Sequence, residues 1–275
     1  MQGMELARSY YETYGAAMLR EQFPDWAGRL AVGLVGSGSE CFGFDDAVSQ
    51  DHDFEPGFCI FLPGEDVLDR KTAFALERAY AKLPKTHLGF SRQGLSPVGG
   101  SRRGPIRIGD FLMEKTGTRD GKLSLEQWLR LPESYLCEVV NGALFDEGDG
   151  SFAAIRQRLA KQPEDVRKKK LAGHLLLMAQ AGQYNFPRCL AHGEPAAAQL
   201  AAVEFVRHAL HVLFLLNKTY IPYYKWQFRA LRQLALLQDQ ALTQAVCGDL
   251  EKHAYSVNDA ISNAQLRNAH ILTAV

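Results

Sequence analysis

The chain is 275 residues long, with 47% hydrophobic and 23% charged residues, a composition that fits a folded chain of about two domains and excludes disordered, collagenous and coiled-coil classes. Lys plus Arg equals Asp plus Glu at 31 each, so the formal net charge is zero and a non-specific polyanion binder is excluded at the level of the whole molecule. That zero is an average: residues 1–150 hold 23 acids and 16 bases, net −7, and residues 151–275 hold 8 and 15, net +7.

The first segment, Glu5 to Leu19, sets Leu6, Tyr10, Tyr14 and Ala17 on one face at helical spacing, and Pro24 closes it. Its charges, Glu5, Arg8, Glu12 and Arg20, break any signal-peptide core. Leu30 to Val35 is a short apolar run that ends in Gly36-Ser37-Gly38-Ser39, and Asp51 to Leu62 carries the β-rich core Phe58-Cys59-Ile60-Phe61-Leu62. Two strands joined through a turn are expected here. Asp66 to Leu83 has helical period, with Phe74, Leu76, Ala79, Tyr80 and Leu83 as its apolar positions. Ser91 to Gly104 reads as loop by its Gly, Ser and Arg content.

A further strand is expected at Pro105 to Ile108, with Asp110 as the candidate N-cap of a helix over Phe111 to Thr116. Leu125 to Leu131 reads as a short helix. Tyr135 to Val140, Asn141-Gly142 and Ala143 to Phe145 carry the Asn-Gly signature of a hairpin. Beyond Asp149-Gly150 the pattern is helical throughout: Phe152 to Leu159, Pro163 to Ala181, Ala196 to Leu216, Tyr224 to Leu237 and Gln240 to Ala254. The expected architecture is α+β, with an α+β domain over 1–150 and an all-α helical domain over 151–275. The break in pattern coincides with the break in charge.

The longest apolar stretch, Ala209 to Leu216, is interrupted by His211 and falls short of the roughly 20 residues of a membrane span, so no membrane partner is expected. Cys41, Cys59, Cys137, Cys189 and Cys247 form no CxxC pair and no zinc spacing, which suits reduced thiols and a cytoplasmic location.

The window from Val35 to Phe61, VGSGSECFGFDDAVSQDHDFEPGFCIF, carries the chemistry. On an extended strand residues i and i+2 share a face, so the carboxylates of Asp51 and Asp53 converge while His52 points away. Two convergent carboxylates suit Mg²⁺ or Mn²⁺, because such a site leaves coordination positions for water and substrate phosphates. Gly36 and Gly38 let backbone N–H groups approach a phosphate, and Ser37 or Ser39 can donate a hydroxyl. Asp45 and Asp46, in the connecting loop, read as turn or solvated residues.

This arrangement resembles the nucleotidyltransferase superfamily that includes polymerase β, the aminoglycoside nucleotidyltransferases and the minimal nucleotidyltransferases of toxin and antitoxin systems. Its pattern is an apolar residue, Gly, then Gly or Ser, followed at an interval by Asp, apolar, Asp or Glu, apolar; Val35-Gly36-Ser37 and Asp51-His52-Asp53-Phe54 match it, with His52 in place of an apolar residue. Over about residues 30 to 240 the chain is similar to the bacterial family known as domain of unknown function 4037 (DUF4037), on GSGSECFGFDD, SQDHDFEPGF, QYNFPR around Tyr184 to Arg188 and LLNKTYIPYYKW at Leu215 to Trp226.

The resemblance implies ATP or another nucleoside triphosphate as substrate, Asp51 and Asp53 as catalytic metal ligands, and Gly36, Ser37, Gly38 and Ser39 as the phosphate grip. It also implies a lysine of the helical domain on the triphosphate, Lys218 or Lys225, with Tyr224 among the aromatic residues that stack a base. Active relatives carry a third carboxylate on a neighbouring strand. Asp110 is the candidate here, with the N-cap role as the alternative, and Glu138 and Asp146 read as surface carboxylates.

The expected reaction is transfer of a nucleoside monophosphate, AMP from ATP, onto a hydroxyl of a small molecule or protein. The alternatives are a catalytically inactive nucleotide- or ligand-binding regulator of the same fold and an antitoxin-type protein AMP-transferase. A polynucleotide acceptor is not expected, because no long basic track is present. His174, His192, His208 and His211 show no metal spacing, and His208 and His211, at i and i+3, read as core or interface histidines.

Overall fold

A computed structural model describes residues 1–50, 54–92 and 103–235. The chain divides into two compact units, Met1–Tyr223 and Tyr224–Val275.

In the first unit, helix α1 (Gly3–Tyr10) passes through a π-helical turn at Tyr11–Gly15 into α2 (Ala16–Gln22), so the expected N-terminal helix is present with one wide turn inside it. Strands β1 (Ala31–Leu34) and β2 (Cys59–Leu62) follow. The expected strand from Asp51 is thus confined to its apolar end, and residues 54–58 carry no strand. Helix α3 (Arg70–Lys82) is capped by Asp69, which accepts from the Thr72 N–H at 2.7 Å. Its Phe74, expected on the apolar face, is 59% exposed.

A short hairpin, β3 (Thr86–His87) with β4 (Phe90–Ser91), lies where no strand was expected. Strand β5 (Gly104–Arg107) runs directly into α4 (Ile108–Thr116). Helices α5 (Leu125–Arg130) and α6 (Glu133–Val140) precede β6 (Ala143–Asp146). The expected hairpin over Tyr135–Phe145 is therefore corrected: its first arm is helix, and only the second arm is strand. Apolar residues at Leu136, Val139 and Val140 recur at helical spacing and pack on the core, which overrides the β-branched local preference.

Four strands form one sheet in the order β5-β2-β1-β6. β1 is antiparallel to both β2 and β6, whereas β2 and β5 are parallel, with Cys59 opposite Gly104 and Leu62 opposite Arg107. Both faces of the sheet are covered. Cys59 and Phe61 point into a core with Phe111 and Leu112 of α4, Leu136 and Val139 of α6 and Phe152. Phe58, Ile60 and Leu62 point into the other, with Tyr10, Met18, Leu76 and Tyr80. A strand buried on both faces has no polar side to alternate with, which is why FCIFL reads as an unbroken apolar run.

After β6 come α7 (Ser151–Leu159), α8 (Glu164–Ala179), a second π-helical turn at Gln180–Asn185, α9 (Phe186–Ala191) and α10 (Pro195–Leu216). No strand follows β6 among the described residues. The fold is thus mixed, a small mixed sheet with many helices. Helix α10 packs along α8. By length and composition alone it could also cross a bilayer, although it carries Glu204, Arg207, His208 and His211.

In the second unit, a 3₁₀ turn at Tyr224–Trp226 leads into α11 (Gln227–Leu231). The Lys225 ammonium lies 5.0 Å from the Trp226 ring centroid. The expected helix Gln240–Ala254 lies outside the described residues.

Candidate functional site

Strand β1 ends at Leu34 and the chain turns sharply through Gly36 and Gly38, whose φ angles are +111° and +128°. Side chains rarely adopt those values, so the glycines are required by the backbone path. Gly36 is buried, Ser37 is exposed, Gly38 and Ser39 are half-buried, and Ser39 opens a 3₁₀ turn to Phe42.

The loop is held from the residues that lead into the neighbouring strand β6. The Gly36 N–H donates to Asn141 Oδ1 at 3.0 Å, and Asn141 Nδ2 donates back to the Gly36 carbonyl at 2.7 Å. Next to it the Gly142 N–H donates to the Cys41 carbonyl at 2.8 Å, so both ends of the Gly-Ser loop are tied to the α6–β6 junction. That junction is itself braced by Arg156 of α7, whose guanidinium donates to the carbonyls of Val139 at 3.0 Å and Val140 at 3.1 Å and also to that of Asn141. Burial lowers the Arg156 pKa, the effect of holding a cation among partly desolvated carbonyls.

Charge gathers beside the loop. The Glu40 carboxylate lies against Gly38, so close that a Cβ there would meet both of its oxygens at 2.6 Å. Glu40 is buried and pairs with Arg103 at 3.4 Å, and Arg103 also reaches Glu55 at 3.3 Å. Asp45, expected to be a solvated turn residue, is instead buried and accepts from the Gly3 N–H at 2.6 Å at the start of α1. Helix N-termini leave N–H groups without helical partners, and a carboxylate is the favourable acceptor. Asp46 takes the turn role, accepting from the Val48 and Ser49 N–H groups at 3.0 and 3.1 Å.

The structure places the other candidates as follows. Asp51, His52 and Asp53 lie outside the described residues. Asp110 is the third residue of α4, which starts at Ile108 with Arg107 as N-cap, so the N-cap reading of Asp110 is corrected. Its side chain is 58% exposed and pairs with Arg119. Glu138, expected at the surface, is largely buried and pairs with Lys115 at 2.8 Å. Asp146 accepts from the Tyr11 hydroxyl at 3.3 Å, and burial together with that carboxylate raises the Tyr11 pKa to about 12.

Lys218 closes α10 in the left-handed region, φ +54°. Its N–H donates to the Leu215 carbonyl and that of Thr219 to Phe214, the arrangement that usually carries Gly. Lys218 lines a cavity of about 230 Å³ together with Lys161, Arg167, Thr219 and Tyr220. Arg167 is fixed there by Glu164 and by the Leu215 carbonyl, and its hydrogen bonds pull the Glu164 pKa down to about 2. Tyr224, 70% exposed, and Lys225 belong to the second unit.

The sequence by itself assigns Asn141 only a turn and Arg156 no role. The Asn-Gly signal was there, but it reads as a turn unless its partner, 105 residues away, is known.

Residues 128–227 match the model of a family described as Domain of unknown function (DUF4037), which supports the resemblance carried by Tyr184–Arg188 and Leu215–Trp226. The matched span contains Asn141, Arg156, Lys218, Tyr224 and Lys225, and begins after the Gly-Ser loop. No curated protein and no solved structure matches the chain.

Proposed function

We propose that the chain is a metal-dependent nucleotidyltransferase of the polymerase β-like superfamily that moves a nucleoside monophosphate, AMP from ATP, onto a hydroxyl of a small molecule or protein. The observation that carries this reading is the Gly36–Ser39 loop at the end of β1, bracketed through Gly36 by Asn141 beside an antiparallel β2. A loop whose shape is imposed from outside keeps its N–H groups in place for phosphate oxygens and loses no order on binding.

Asp51 and Asp53 would hold the metal. Two hard carboxylate oxygen donors fit Mg²⁺ or Mn²⁺ better than a thiophilic ion. When bound, such an ion offsets phosphate charge. Gly36, its N–H taken by Asn141, sets the path of the loop, and Ser37, Gly38 and Ser39 would bind and orient the phosphates. Arg103 neutralises Glu40 next to Gly38, which lowers the repulsion an anion would meet there. Lys218 or Lys225 adds a cation for the triphosphate, and the acceptor hydroxyl needs a carboxylate base that removes its proton.

The test is pyrophosphate release from ATP and Mg²⁺ over a panel of hydroxyl acceptors, with the Asp51→Asn, Asp53→Asn double variant alongside. Release by the parent and loss of at least about a hundredfold in the folded variant are expected. Equal turnover by both removes the assignment.

The exposed Asp110, paired with Arg119 and offering no buried third carboxylate, favours a second reading: a nucleotide- or ligand-binding regulator of the same fold. Calorimetry separates the two, since ATP binding with no release on any acceptor supports the regulator.

A further inference from the structure

Three histidines that show no metal spacing in sequence meet where α8 packs on α10. His174 Nδ1 of α8 lies 2.9 Å from His208 Nδ1 of α10, and the His174 ring stacks on that of His211, one helical turn further along α10, at 4.2 Å between centroids and 6° between planes. Nearly parallel rings aim their nitrogen lone pairs side by side, so His174 and His211 do not converge on one ion. No metal-holding group of His, Cys, Asp and Glu is present among the described residues.

The cluster is anchored to α6. Glu133, with its side chain 3% exposed, lies 3.6 Å from His211 Nδ1 through Oε2 and 3.4 Å from Lys170 Nζ through Oε1, and Gln162 donates to Oε1 at 3.4 Å. On the outer side Glu204 Oε2 is 3.6 Å from His208 Nε2, and Arg207 pairs with the same carboxylate. Glu133, Lys170, Glu204 and Arg207 are therefore the charged groups that the three imidazoles face.

Proton count decides whether this contact holds. Two imidazole nitrogens at 2.9 Å need one N–H and one bare lone pair. With both rings neutral, or with one protonated, that condition is met; with both protonated, two N–H groups point at each other. Beside this pair Glu133 Oε2 and His211 Nδ1, 3.6 Å apart, are both buried without a hydrogen-bond partner.

We propose that His174, His208 and His211, tied to Glu133, form an acid-released clasp that holds α8 against α10 and lets go when His174 and His208 are both protonated. The apolar seam is thin on the α8 side, where Val166 is the buried residue and Leu176 is 70% exposed, while α10 buries Leu210, Phe214 and Leu215 in its last two turns. Burial first, then His211 and His208, push the His174 pKa down to about 4, and burial lowers His208. Burial alone would raise Glu133, but His211 and Lys170 keep it below its ordinary value. The clasp does not depend on the nucleotidyltransferase reading and stands if that reading fails.

Hydrogen exchange on the full chain tests it. Protection in peptides spanning Glu164–Leu216 should fall by about tenfold or more between about pH 7.5 and about pH 4.5, after correction for intrinsic rates, while β1 and β2 stay protected. In His174→Gln, which keeps a hydrogen-bonding partner that does not titrate, most of that fall should vanish. Protection that does not change with pH in the parent, or a fall of the same size in the variant, overturns the clasp. Should the variant not fold, NMR titration of the parent's imidazoles decides: at least one titrating well below about 6.5 with a response coupled to a second supports it, and independent titration of all near the ordinary value overturns it.

Discussion

Asn141 holds Gly36 by both of its backbone groups, accepting at 3.0 Å and donating at 2.7 Å. A single amide side chain thus does for the Gly-Ser loop what a neighbouring strand does for β1, at the point where β1 ends and ladder partners run out. Since N–H and C=O groups removed from water need partners, the loop's shape depends on this residue.

Replacing Asn141 with Ala removes both bonds and leaves the partly buried backbone groups of Gly36 unpaired. We expect a loss of about 1–3 kcal/mol by urea denaturation and weaker nucleotide binding by calorimetry. Asn141→Asp keeps the acceptor but sets a carboxylate against a carbonyl, so it should be no better than Ala. A variant as stable as the parent would show that the bracket is not needed.

Gly142→Ala tests the same junction through the backbone. Gly142 has φ +66°, and a Cβ there would lie 2.0 Å from the Leu34 carbonyl oxygen. Because the obstacle is strand backbone, it cannot swing aside, and a loss of about 2 kcal/mol or more is expected. A melting temperature within a degree or so of the parent contradicts the close approach.

Lys218→Gly should separate stability from binding. Lys218 sits at φ +54°, where a residue with a Cβ is disfavoured by roughly 1 kcal/mol relative to Gly. The variant is therefore expected to gain up to about 1 kcal/mol in denaturation. If the Lys218 ammonium holds the triphosphate, ATP affinity should fall in the same protein. Unchanged affinity moves that role to Lys225 or removes it.

The pH dependence of stability follows from His174. Its folded pKa is about 4, below the unfolded imidazole value of about 6.5, so the unfolded chain binds more protons between the two. Stability from this group is complete above about pH 6.5 and is lost as pH falls toward about 4, with about 1–3 kcal/mol at stake after allowance for solvent screening. Denaturation at several pH values should show this slope in the parent and a shallower one in His174→Gln. Equal slopes would place the proton uptake elsewhere.

Much of the fold is legible in the residues in order. The apolar runs at Ala31–Leu34 and Cys59–Leu62 are strands, the Gly-Ser signal marks the end of β1, and helical period carries the chain after Gly150. These features depend on neighbours within a few residues, through side-chain periodicity and the backbone freedom of glycine. The first arm of the expected hairpin fails for the opposite reason. Tyr135–Val140 has the composition of a strand, and packing of Leu136 and Val139 into the core makes it part of helix α6.

What tertiary structure alone decided is partnership. Asn141 reads as a turn residue until Gly36 is placed beside it, Asp45 reads as solvated until Gly3 meets it, and His174 lies 34 positions before His208 with nothing in the intervening sequence that tells of their contact. Each pairing is set by how helices and strands distant in sequence pack, so the energetic meaning of a polar residue is fixed by whichever donor or acceptor the fold brings to it and by how far water is excluded from the pair.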